Sequence, residues 1–205
     1  RVRSSAASDV YKRQMHKFTQ TSNRNNTAIG FYAMKEIETG SHNTALGNEA
    51  MYGVTGDENN YNTAVGDKAL YAIDGGDYNV AVGATAGYEN TTGQNNVYVG
   101  YYAGEGGTTA EGSVAIGKEA GRLNLTGNSN TSVGMQALYS TTKGTNTAIG
   151  VQAGYANTTG TGNVFLGYFA GKDATATDSN KLFIANAAGT PLIGGDFSAG
   201  TVAIQ

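Results

Sequence analysis

The stretch Asn146-Thr147-Ala148-Ile149-Gly150, followed by Ala153, decides how this chain is read. Thr147 and Ile149 flank Ala148 in the period-two alternation of a strand with one better-buried face. Thr and Ile favour strands, and Asn146 and Gly150 suit the turns at either end. The unit recurs. Ile, Leu or Val followed by glycine occurs at Gly30, Gly47, Gly66, Gly83, Gly100, Gly117, Gly134, Gly150 and Gly167, with Ala three residues after each. Successive glycines lie 17, 19, 17, 17, 17, 17, 16 and 17 residues apart. Asn stands four residues before each glycine except at Ser113. A short fixed period marks a repeat architecture in which each unit packs on its neighbours.

A 17-residue unit is too small for a propeller blade or a helical repeat. It fits one coil of a β-solenoid, expected to hold two short strands and two turns. Helices are disfavoured: no stretch keeps a 3.6-residue apolar pattern for three turns, and there are 31 glycines. The expected fold class is all-β, a parallel β-solenoid of nine coils over residues 26–179. Coils about 4.8 Å apart would make a rod roughly 43 Å long. Ile29, Leu46, Val65, Val82, Val99, Ile116, Val133, Ile149 and Leu166 are expected as the inner ladder. The Ala ladder would fill the narrow part of the cross-section. The glycines would serve a close approach or a conformation that a side chain blocks. The Asn ladder would be satisfied by backbone and by the Asn above and below.

Composition narrows the function. Large apolar residues are few, so a conventional globular core would be thin. With no Cys, disulfides and Cys-based zinc sites are excluded. No apolar run reaches membrane-spanning length, and no basic run suggests nucleic acid. Residues 1–14 share nothing with the repeats; they read as translated sequencing-adapter DNA and are set aside. They carry a net +3 against −3 for the whole chain, leaving −6 on residues 15–205. That acidity further disfavours nucleic acid. Residues 15–25 form a lead-in with no visible secretion signal. From Asn180 the repeat stops, and 180–205 reads as three short strands that cap the open end, cut short at Ile204-Gln205.

Five residues past each glycine runs a second ladder: Lys35, Tyr52, Tyr71, Tyr88, Glu105, Arg122, Tyr139, Tyr155 and Lys172. Tyr52, Tyr71, Tyr88, Tyr139 and Tyr155 are the candidate ligand or interface ladder, with coil-on-coil stacking as the plainer explanation. Glu105 and Arg122 fall on adjacent coils and can pair. Met34, Met51, Leu70 and Leu138 add bulk that a slim roll is not expected to bury, which suggests an apolar contact stripe. Thr27, Thr44, Thr63, Thr131 and Thr147 share the Ile face and read as core-edge residues, not an ice-binding surface. No catalytic, cofactor or metal site is expected. His16 and His42 are the two histidines, and neither has a partner set by spacing. Gly75-Gly76-Asp77 and Gly194-Gly195-Asp196 are not tandem and read as turns.

The Asn-Thr-Ala-Ile-Gly-x-x-Ala unit resembles the head repeat of YadA-like trimeric autotransporter adhesins over residues 26 to about 171. Residues 180–205 resemble the segment that precedes endosialidase-type intramolecular chaperones in phage tail fibres and bacterial surface proteins. The resemblance implies a left-handed parallel β-roll, a homotrimer, and a non-enzymatic extracellular fibre displaying a face to an unknown receptor. Two departures stand out: these coils are longer than the familiar repeat, and Met, Leu or Gly follows the Ala. The alternative is a monomeric solenoid spacer of a larger secreted protein. Ligand contact is expected from the long turns, such as 35–42, 52–61, 71–78, 105–112 and 122–129.

Overall fold

A computed structural model describes residues 25–54, 58–174 and 176–204. The 1–14 segment, and the 15–25 lead-in apart from Asn25, lie outside the described residues. The chain is an all-β solenoid of about nine turns. Nine three-residue strands pair in parallel, each with the next: β1 (Thr27–Ile29), β2 (Thr44–Leu46), β3 (Thr63–Val65), β4 (Val80–Val82), β5 (Val97–Val99), β6 (Val114–Ile116), β7 (Thr131–Val133), β8 (Thr147–Ile149) and β9 (Val164–Leu166). Equivalent residues sit in register, as in Thr131↔Thr147 and Val133↔Ile149. β10 (Lys181–Ile184) adds in parallel to β9. β11 (Ile193–Asp196) and β12 (Thr201–Ile204) follow antiparallel, so three strands end the sheet as the sequence suggests.

Each coil holds one strand where two were expected. Beyond each anchor glycine the backbone passes repeatedly through left-handed conformations, as at Gln136 (φ 57) and Leu138 (φ 47). An extended ladder cannot run through such residues. Hydrogen bonds nonetheless continue from coil to coil through the turns, as from Leu138 N to Ala153 O at 3.0 Å.

The inner ladder is a correction. The buried strand residues are the central ones: Ala45, Ala64, Ala81, Tyr98, Ala115, Ser132, Ala148 and Phe165. The Ile/Leu/Val and Thr/Val columns both face outward; Ile29 is 55% exposed and Ile149 45%. The Asn ladder sets this polarity. Asn79 Oδ1 accepts the backbone N–H of Asn96 at 3.0 Å, and its Nδ2 donates to Gly93 O at 2.8 Å. Asn43, Asn62 and Asn146 repeat the pattern. Each side chain thereby satisfies two turn groups that burial would orphan, at about 1–3 kcal/mol apiece. Asn and the strand centre are two residues apart, so they share a face, and alternation turns Ile outward. Ser113, the one exception, makes the same two contacts more loosely, at 3.3 Å each.

The apolar stripe at Met34, Met51, Leu70 and Leu138 is also a correction. All four side chains are fully buried within the single chain. They fill the space left by Ala at the strand centres, beside Ala33, Ala50, Ala69 and Ala137. Where the strand centre is large, the residue after the Ala is glycine. A Cβ on Gly104 would lie 2.2 Å from the Tyr98 ring, and one on Gly171 would lie 2.2 Å from that of Phe165. Gly87 and Gly154 in the preceding coils make room for the same two rings, each 2.6 Å from an added Cβ, so one large strand centre is accommodated by glycines in two coils.

Candidate binding surfaces

Three features of the surface can contact something else: the outer face of the sheet, the ladder five residues past the glycines, and one corner of the roll.

The sheet face carries two columns, both uncharged over nine coils. One is Thr27, Thr44, Thr63, Val80, Val97, Val114, Thr131, Thr147 and Val164. The other is the Ile/Leu/Val column. Leu46, Val82 and Ile116 are exposed, as are Phe31, Tyr101, Met135 and Tyr168 two residues beyond that column, where exposed Asn48, Asp67 and Lys118 also stand. The strip measures roughly 43 Å by 13 Å. Its projected area is on the order of 500–600 Å², the top of the range for an apolar patch on a typical monomer. The Thr column therefore lies on the surface, against the core-edge reading. It is interrupted by four valines, and the flanking aromatic rings break its flatness. That relief suits a protein surface better than an ordered water lattice.

The second ladder stacks coil on coil. Ring centroids are 5.0 Å apart for Tyr52–Tyr71 and for Tyr71–Tyr88, and 5.2 Å apart for Tyr139–Tyr155. Each aromatic run ends on a charge. Lys35 Nζ donates to the Tyr52 hydroxyl and lies 4.8 Å from its ring centroid. That hydroxyl, and then Glu36, raises the Lys35 pKa and keeps its ammonium charged. Arg122 pairs with Glu105 on the adjacent coil, as the spacing suggests, and this bond raises the guanidinium pKa. Its guanidinium also lies 4.5 Å from the Tyr102 ring centroid. Every member of the ladder is half-buried by its neighbours. Stacking therefore supplies a structural reason for the whole ladder, with each ring pair contributing about 0.5–1.5 kcal/mol.

The corner site went unnoticed in the sequence. His42, Tyr61 and Tyr78 each stand one residue before a buried Asn, and they stack with centroids 4.6 Å and 5.1 Å apart and planes 6° from parallel. Tyr61 and Tyr78 remain half exposed. Asn25 Nδ2 lies 3.2 Å from His42 Nε2 at one end of the stack. The signal was present: an aromatic ring preceding Asn43, Asn62 and Asn79 at the repeat period. Turn positions vary most from coil to coil, which masks it.

The remaining candidates have local partners. Asp77 accepts the backbone N–H of Asn60 at 2.7 Å. Asp196 pairs with Lys181 and caps the β11–β12 turn through Ser198 and Ala199. Lys181 first, and then Ser198, hold its carboxyl well below the usual range. His16 lies outside the described residues. Among the described residues, no three His, Cys, Asp or Glu side chains cluster as metal ligands, and no helix is long and apolar enough to cross a membrane. No family model, curated protein or solved structure matches the chain.

Proposed function

We propose that this chain is a non-enzymatic segment of an extracellular fibre, a left-handed β-roll assembled as a homotrimer that presents its turns to a surface receptor. The observation that carries this reading is the outward face of the sheet. A solitary roll gains nothing from nine coils of uncharged Thr/Val and Ile/Leu/Val columns open to water. Three copies meeting on that face would bury the columns and leave the turns outside. In a trimer each copy shares the strip between its two neighbours, so flanking residues such as Phe31, Tyr101 and Tyr168 join the contact to approach the ~800 Å² per partner of a stable interface. Repetition suits a fibre: length grows coil by coil while turn residues vary freely.

The test places charge on the face without touching the interior. Val82→Lys combined with Ile116→Lys is expected to keep the β-sheet circular dichroism and reduce the solution mass to one chain. In the isolated chain these surface changes should cost no more than about 0.5 kcal/mol each. An assembly that survives both lysines would show that the copies meet elsewhere. A parent chain that is already monomeric favours the spacer reading. Ice-growth inhibition by that monomer would mark the face as an ordered-water surface instead.

A further inference from the structure

We propose that the corner formed by His42, Tyr61 and Tyr78 is a binding site for a neutral saccharide. This rests on the reading that the turns are the outward, receptor-facing surface, and it names the turn residues and the ligand class.

The fold does not ask for these rings. All three residues sit in the left-handed region, with φ of 59° at His42, 57° at Tyr61 and 58° at Tyr78. Bulky side chains are disfavoured there, whereas Asn and Gly are tolerated. At the same corner position the next coils carry Asn95 and Gly112, and the ladder continues without interruption. Left-handed φ also occurs at Tyr32, Tyr102 and Phe169, so the backbone alone does not single these rings out; their half exposure, at a position that Asn and Gly fill in the next coils, points to a role beyond folding.

The surroundings define the ligand. Tyr61 is covered on both faces by its neighbours in the stack. Tyr78 is covered on one face only, because the coil beyond it carries the short Asn95 in place of a ring. One coil further, the corner opens at Gly112, where an added Cβ would meet only Ser129 Oγ, at 3.7 Å. Alongside the rings runs a polar row of Asn60, Asp77 and Gln94, in which Asn60 Oδ1 already accepts from Ser41 and Asp77 Oδ1 from the Asn60 N–H. An aromatic face beside amides and a carboxylate matches a pyranose, whose C–H face packs on a ring while its hydroxyls bond outward. Arg24 holds the polar-row position of the first coil, outside the described residues; from Ser41 onward no Lys or Arg occupies this corner position or the polar row, and residues 15–205 carry −6, which disfavours an anionic ligand. A purely apolar ligand would strand the amides.

The test is saturation-transfer difference NMR on the full chain with galactose, mannose, N-acetylglucosamine and their neutral disaccharides. Transfer to the ring C–H protons of at least one is expected. Tyr78→Asn should weaken binding about tenfold, the loss of one ring contact. Tyr61→Asn with Tyr78→Asn should abolish it. Asn is the residue this position already uses in the next coil and tolerates the left-handed φ better than Tyr, which offsets the lost ring stacking, so neither the melting temperature nor the solution mass should fall. Absence of transfer from the whole panel overturns the proposal. So does unchanged binding in the double variant, or a lower melt or mass, which would make the rings structural or part of the inter-chain contact. An assembled chain that binds no saccharide sinks this site alone; a monomeric parent sinks the fibre reading whatever the sugars do.

Discussion

Leu138→Glu is expected to leave the chain unfolded or aggregated, with its β-sheet circular dichroism lost. Leu138 is fully buried in one chain, packed with Ala137, Ala148 and Ala153, and no cation lies in that cluster to neutralise a carboxylate. Truncation to Ala alone would cost about 2–5 kcal/mol. An unpaired buried charge adds several more, enough to consume the roughly 5–15 kcal/mol of a typical domain. The comparison with the lysine pair on the sheet face is the informative part. If Leu138 lined a contact between copies, Glu there would yield a folded single chain. The interior packing predicts loss of the fold itself, and thermal melts of the two variants side by side separate these outcomes.

The second large effect is expected at an anchor glycine. Gly83→Ala should destabilise the roll by roughly 3–5 kcal/mol, the sum of backbone strain and overpacking. Gly83 has φ +137, a region essentially closed to side chains, and an added Cβ would sit 2.5 Å from Gly100 O on the next coil. The neighbour cannot yield, because that oxygen belongs to backbone fixed between coils. Gly75→Ala is the control. It also has positive φ (+82), but no atom lies within 4 Å of the added Cβ, so about 1–2 kcal/mol of conformational strain is all it should cost. Equal denaturation midpoints for the two variants would mean that coil spacing does not depend on the glycine ladder.

The period, the strand in each coil and the three closing strands were legible because they depend on local signals: glycine spacing, β-branched residues and the break at Asn180. Which face of the strand points inward was not. Hydropathy favours Ile149 inside and Ala148 outside, and the chain does the reverse. The deciding interaction is the Asn146 carboxamide satisfying the buried Asn163 N–H and Gly160 carbonyl, which an apolar count does not register. The fate of Leu70 and Leu138 was hidden for a related reason. Interior volume is shared between ladders, and the pairing of Tyr98 with Gly87 and Gly104 appears only when residues 6 to 11 apart in sequence are stacked. At the surface, the stacking of Tyr52, Tyr71 and Tyr88 was one of the two readings the sequence offered. The His42–Tyr61–Tyr78 corner escaped it, since a turn residue that departs from Gly or Asn looks like variation until its rings are seen to align.

Multi-angle light scattering on the full chain, with circular dichroism on the same sample, decides whether further copies of the chain cover the outward face of the sheet. A β-rich species at three times the 21.1 kDa chain mass is expected. A β-rich species of one chain mass would overturn the trimeric reading.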